Sequence, residues 1–129
     1  MQILRFALDD RSLASLRMTT FVDSNEIGWE MMGRGVKRQV LKHGDDLMMV
    51  RVEFEKDGIG AMHQHPHRQA TYVAAGRFLV TVGSEKKELN AGDVFYAAAD
   101  VPHGVRALEK GTLVDVFTPI REDFLKPVL

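Results

Sequence analysis

From Met18 onward the chain is a series of short apolar runs, each closed by turn-forming residues, and this texture predicts strands rather than helices. Thr19 to Val22 reads as a first strand, with Asp23-Ser24-Asn25 as its turn. Trp29 to Met32 is apolar and is broken by Gly33-Arg34-Gly35. Val36 to Leu41 and the longer Leu47 to Phe54 are strands separated by the turn His43-Gly44-Asp45-Asp46, and Lys56-Asp57-Gly58 turns the chain again. Ala70 to Ala75 and Arg77 to Val82 flank Gly76 as an expected hairpin. Lys86 to Leu89, Val94 to Ala97, His103 to Leu108 and Thr112 to Phe117 bring the count to about ten short strands at regular spacing, the pattern of an all-β barrel or sandwich. The tail from Thr118 to Leu125 has lost the alternation and is expected to wrap back over the barrel. Residues 1–17 read as an N-terminal arm, with Asp9, Asp10 and Ser12 as helix-start residues before Leu13 and Leu16, so that both a short helix and an irregular lead-in fit. Residues 18–129 are taken as the single barrel domain.

One stretch departs from ordinary strand composition. Between His63 and Gln69 lie three of the chain's five histidines. His63, His65 and His67 recur at the two-residue period of a strand, which would aim two or three imidazoles at one face and make a metal site. His103 stands in a second stretch, Gly92 to Gly104, that a strand and turn would bring alongside the first. His43, in its Gly-Asp-Asp turn, reads as a solvated residue outside any site.

Composition narrows the chemistry. At 129 residues with 45% hydrophobic and 27% charged, the chain suits one domain with a core of its own. With no cysteine, disulfides, thiolate metal sites and a catalytic thiol are excluded, and any metal must take nitrogen and oxygen ligands. A net charge of −1 supplies no field to draw nucleic acid or an anionic membrane, so neither is an expected partner. The first residues lack a secretory pattern and no run is long enough to span a bilayer, which makes the cytoplasm the expected compartment.

The two histidine-bearing stretches resemble the paired motifs of the cupin superfamily, antiparallel β-barrels of jelly-roll form (the double-stranded β-helix) that hold a metal inside. The first of those motifs runs His-x-His, three or four residues, Glu, six residues, Gly. Here His63, His65, Gln69 and Gly76 keep the spacing, with Gln in place of Glu and the leading glycine displaced to Gly58. In the second, Gly92 and His103 keep their places, while Ala98, Asp100 and Ala107 stand where Pro, Gly and Asn are usual. The runs GRGVKRQVL at Gly33 to Leu41, LMMVRVEFEKDGIGAMHQHPHRQATYV at Leu47 to Val73, VPHGV at Val101 to Val105 and LVDVFTPIREDF at Leu113 to Phe124 are similar to the pectin-degradation cupins of the KdgF type. Those enzymes open the ring of 4,5-unsaturated uronates released by polysaccharide lyases from pectin or alginate. The resemblance implies one divalent ion (Ni, Zn, Mn or Fe) held by His63, His65, Gln69 and His103, catalytic roles for Asp115 and Arg121, a substrate contact at Phe117, a small sugar acid as substrate and a homodimer. A cupin dioxygenase and a non-enzymatic sugar- or metal-binding cupin are the competing functions.

The residues also have plainer readings. Gln69 could bond to a ligand histidine instead of the metal, and Pro66 interrupts strand pairing, which sets His67 apart as a supporting or surface residue. Asp115 lies between Val114 and Val116, so burial would raise its pKa and a neighbouring cation would lower it. Phe117 shares its face and is core by default. Arg121, beside Glu122 and Asp123, is either solvated or a planar fork for a carboxylate. Met31, Met32, Met48 and Met49 are expected to fill core.

Overall fold

The computed structural model describes residues 20–125, so the N-terminal arm expected over residues 1–17 lies outside the described residues. Ten strands follow in chain order: β1 (Glu30–Gly33), β2 (Val36–His43), β3 (Met48–Phe54), β4 (Ile59–His63), β5 (Arg68–Ala75), β6 (Arg77–Val82), β7 (Glu85–Asn90), β8 (Val94–Ala97), β9 (His103–Ala107) and β10 (Gly111–Thr118). All pairings are antiparallel. They form a six-stranded sheet in the order β1-β2-β3-β10-β5-β8 and a four-stranded sheet in the order β4-β9-β6-β7, the two layers of a jelly roll. The all-β expectation holds, and among the described residues the only helical elements are the 3₁₀ turns Ser24–Glu26 and Glu122–Leu125.

β10 shows why these residues make strands. Its eight residues alternate strictly between buried and half-buried, and the half-buried face, Thr112, Val114, Val116 and Thr118, is β-branched throughout. It lies between β3 and β5, so its inward residues Leu113, Asp115 and Phe117 are packed from both sides. Leu113 joins the larger apolar cluster with Val36, Phe54, Val73, Phe78 and Leu89. Phe117 joins a smaller one with Met48 and Val50, against which Ile120, Phe124 and Leu125 of the tail also pack. Asp115 sits between the two, and there the barrel interior becomes polar.

Four expectations need correction. Of the strand expected from Thr19 to Val22, Thr19 lies outside the described residues and residues 20–22 are not strand: no strand among the described residues pairs with them, Phe21 is 85% exposed, and Asp23 caps the following 3₁₀ turn through a bond from Asn25 N at 3.0 Å. That turn is tied to the outside of the larger sheet by Gln39, whose Nε2 donates to Ser24 O and Ile27 O, each at 2.8 Å. Gly76 does not close a hairpin, since β5 and β6 belong to different sheets; it is the crossing point between them. Of the four paired methionines only Met48 fills core: Met49, next to it on β3, faces the other way, and Met31 and Met32 lie on β1, whose four residues are all exposed. His43 ends β2 buried rather than solvated, its Nδ1 donating to Gly44 O.

Gly76 has φ of +83°, and a Cβ there would meet Lys110 O at 2.5 Å. Gly76→Ala is therefore expected to cost about 1–3 kcal/mol of stability. A shifted urea midpoint at unchanged slope checks this, and an unshifted midpoint would mean the crossing relaxes.

Candidate metal centre

Three of the histidines meet where the two motifs come together. β4 and β9 are neighbours in the smaller sheet, and their register sets His63 directly opposite His103. His65 lies in the short connection after β4, whose pairing ends at His63, so it reaches the cluster from a loop and not from strand alternation. The ring centres of His63 and His103 are 4.4 Å apart, those of His65 and His103 4.9 Å and those of His63 and His65 5.3 Å. Their ligand atoms all lie within 4.8 Å of one another. His65 and His103 are buried and His63 is exposed, so the cluster opens to solvent on the His63 side. His67 stays outside it.

The proton inventory of this cluster is decided by its outer bonds. His63 Nδ1 faces Ala61 O at 2.8 Å, His65 Nδ1 faces His67 O at 3.0 Å and His103 Nδ1 faces Val101 O at 2.9 Å. A carbonyl oxygen can only accept, so each Nδ1 carries a proton, and each ring in its neutral form presents an unprotonated Nε2 inward. Burial, with the charges of Arg121 and the neighbouring rings, pushes His65 below the ordinary imidazole value. Burial does the same for His103, against the bond to Val101. Both effects keep the rings neutral.

Gln69, at the start of β5, completes the arrangement. Its Oε1 lies 3.1 Å from His65 Nε2 and 3.1 Å from His103 Nε2. Which end of the amide faces inward is fixed from behind, where Gln69 Nε2 donates to Thr71 Oγ1 at 2.9 Å and to Asp115 Oδ1 at 3.3 Å. The Thr71 hydroxyl in turn donates to Asp115 Oδ1 at 2.6 Å. Thr71 and Asp115 are direct cross-strand partners between β5 and β10, which accounts for the short contact. The result is a set of lone pairs, three imidazole nitrogens and an amide oxygen, turned toward one another with no proton between them. This donor set suits a metal cation, and the three histidines can hold one.

Most of the chain, not the site alone, is similar to known proteins. The Cupin domain family matches residues 50–117. The pectin degradation protein KdgF of Dickeya dadantii is 48% identical over 107 residues, spanning 81% of this chain and 96% of that protein. The chain belongs to the cupin family. Among solved structures, KdgF from Halomonas sp. matches this cupin with a TM-score of 0.78 at 37% identity, over 81% of this chain and 99% of that one. An RmlC-like cupin from Shewanella frigidimarina gives 0.79 at 40% identity, over 82% of this chain and 96% of that one.

The remaining expected site residues of this cupin sit around the cluster. Asp115 is buried on the inner face of β10, and desolvation raises its pKa to about 6, against the lowering effect of its bonds from Thr71 and Gln69 and of the Arg121 charge. Phe117, two residues on, packs edge-on to His65 with ring centres 5.8 Å apart. The Arg121 guanidinium lies 5.2 Å from the Phe117 ring centre and is not solvated: Nε and Nη2 donate to the two oxygens of Asp123 at 3.1 and 2.9 Å. Thr71, the link between Gln69 and Asp115, escaped the reading of the sequence. Its i+2 spacing from Gln69 along a strand was the available signal.

Thr71→Val keeps the shape of the side chain and removes the hydroxyl that fixes the Gln69 amide. Metal affinity measured by competition with a chelator is expected to fall about 10- to 100-fold at unchanged fold. Wild-type affinity would show that Gln69 needs no such support.

Proposed function

We propose that this cupin opens the ring of 4,5-unsaturated uronate monosaccharides from pectin or alginate breakdown, yielding an open-chain keto sugar acid. The observation that carries the reading is the run of contacts from the acceptor cluster through Phe117 to Arg121, with the proton-holding Asp115 on the same inner face. The likeness to proteins named for pectin degradation supports it.

The reaction requires protonation at C4, addition of water at C5 and collapse of the resulting hemiketal to a ketone. A divalent ion held by His63, His65, His103 and Gln69 would keep its full charge, since all four ligands are neutral, and would supply an electrophilic site for the oxygens of an anionic sugar. Asp115 is the proton-transfer group. With a pKa near 6 it both holds and releases a proton near neutrality. Its bonds from Thr71 and Gln69 end on Oδ1, which leaves Oδ2 for exchange with substrate. Arg121 binds the uronate carboxylate in its planar fork, and Phe117 forms a wall of the sugar pocket.

A homodimer in the cytoplasm belongs to the same proposal. Among the described residues no helix is long and apolar enough to cross a membrane, and the outer face of the larger sheet presents Met49, Tyr72, Val94 and Tyr96 exposed, a surface suited to burial against a second copy.

Incubation with an unsaturated galacturonate monomer should abolish the C4=C5 absorbance, and a chelator should prevent the loss. Asp115→Asn should still bind metal and lose about 10²- to 10⁴-fold in turnover. Oxygen uptake without loss of that absorbance would contradict the reading, and full turnover by Asp115→Asn would remove Asp115 from the chemistry.

A further inference from the structure

The mouth of the barrel holds a second arginine that the reaction above does not employ. Arg38 on β2 stands opposite Val52 in the β2–β3 ladder, two residues from Val36 and from Val40, and so begins on the inner face of the sheet. Its side chain is 13% exposed and its Nε donates to Glu30 Oε1 at 3.0 Å. Its guanidinium carbon lies 3.6 Å from the centre of the Phe124 ring. The guanidinium carbon of Arg121 lies 4.2 Å from the centre of that same ring. Phe124 packs edge-on against Phe117, ring centres 5.7 Å apart, and Phe117 lies against His65. Two cations are thus gathered round one aromatic ring, next to the wall of the metal centre.

Gathering like charges in a half-buried place is unfavourable unless anions accompany them. Each arginine has one here. Glu30 is the direct cross-strand partner of Arg38 and shares its face permanently. Asp123 is different. It belongs to the 3₁₀ turn of the tail, accepts from Nε and Nη2 of Arg121 from only two residues away, and its side chain is 53% exposed where that of Arg121 is 11% exposed. Its carboxylate can therefore swing into water while the guanidinium stays at the mouth.

We propose that Arg38 and Arg121 together form the carboxylate-binding end of the pocket, and that Asp123 occupies it until the carboxylate of an incoming sugar acid takes its place. The proposal rests on the reading of the site as one for uronates and deepens it. Exchange replaces one bidentate carboxylate by another, so it proceeds only for a ligand that makes further contacts, which the oxygens of a uronate find at the metal centre. A neutral sugar has nothing to offer Arg121 and leaves Asp123 in place. Arg38 is then a specificity-determining residue, contributing the second positive charge that separates sugar acids from sugars.

Calorimetric titration of the metal-loaded protein with D-galacturonate, a saturated uronate, tests this apart from turnover. Arg38→Gln is expected to weaken binding about tenfold or more, with Arg38→Lys recovering part of the loss. Asp123→Asn is expected to tighten binding about threefold or more, an effect that a purely structural Arg121–Asp123 pair would not produce. Galactose should bind no better to any variant. Wild-type affinity in Arg38→Gln, or unchanged or weaker affinity in Asp123→Asn, overturns the proposal. Because Asp123 is exposed, its variant tests the exchange even if Arg38→Gln fails to fold. Galacturonate binding that follows this pattern, with no turnover of unsaturated uronates, would overturn the catalytic reading and leave the anion site standing.

Discussion

Four lone pairs meet in the upper part of this barrel with no hydrogen among them. The backbone carbonyls of Ala61, His67 and Val101 each accept from the Nδ1 of the ring that faces them, so in the neutral rings the proton sits outward and the inward nitrogens of His63, His65 and His103 are acceptors. The amide of Gln69 is turned by Thr71 and Asp115 so that its oxygen, and not its nitrogen, joins them. Unpaired acceptors gathered in a partly dehydrated site repel one another, and a cation is the simplest partner that satisfies all of them at once. The strands, the loop with Pro66 and the Thr71 hydroxyl take their significance from that requirement.

The fold meets it by pairing distant segments. His63 and His103 are brought face to face by the β4–β9 ladder of one sheet, and Gln69, Thr71, Asp115 and Phe117 by the β5–β10 ladder of the other. Apolar residues deeper in the barrel, among them Leu113, Val73 and Phe54, give the polar layer a dry floor. Above it the tail folds over the opening, and Phe124 on its 3₁₀ turn holds the two arginines together beside Phe117. The chemistry is thus graded along the barrel from apolar floor to acceptor cluster to cationic mouth. That order suits an anionic ligand whose hydroxyls and carboxylate reach different layers.

Much of this was legible in the chain. The strand pattern gave the architecture, and the two histidine stretches gave the segments that meet, because metal-ligating residue types are scarce and their spacing is distinctive. Strand alternation alone treats His63, His65 and His67 as equivalent; Pro66 is the signal that sets His67 apart, and the β4 ladder in fact ends at His63, with His65 inside the cluster and His67 not part of it. What periodicity could not show were relations across the sheets. Thr71 looks like any strand threonine until its partner on β10 is known to be Asp115. Arg38 lies in a run of polar and apolar residues whose inward face is set by pairing with β3, and Gly76 looks like a hairpin turn until its flanking strands are found in different sheets. Such facts belong to long-range pairing, which local pattern does not encode.

The most direct test of the account is the metal content of the purified protein, together with the identity of its ligands by X-ray absorption or diffraction at the metal edge. The account predicts one divalent ion per chain, bound through nitrogen of His63, His65 and His103 and oxygen of Gln69, and lost when His103 is replaced by alanine. A protein that binds no ion when metals are supplied, or binds one elsewhere with these four side chains apart, would contradict it.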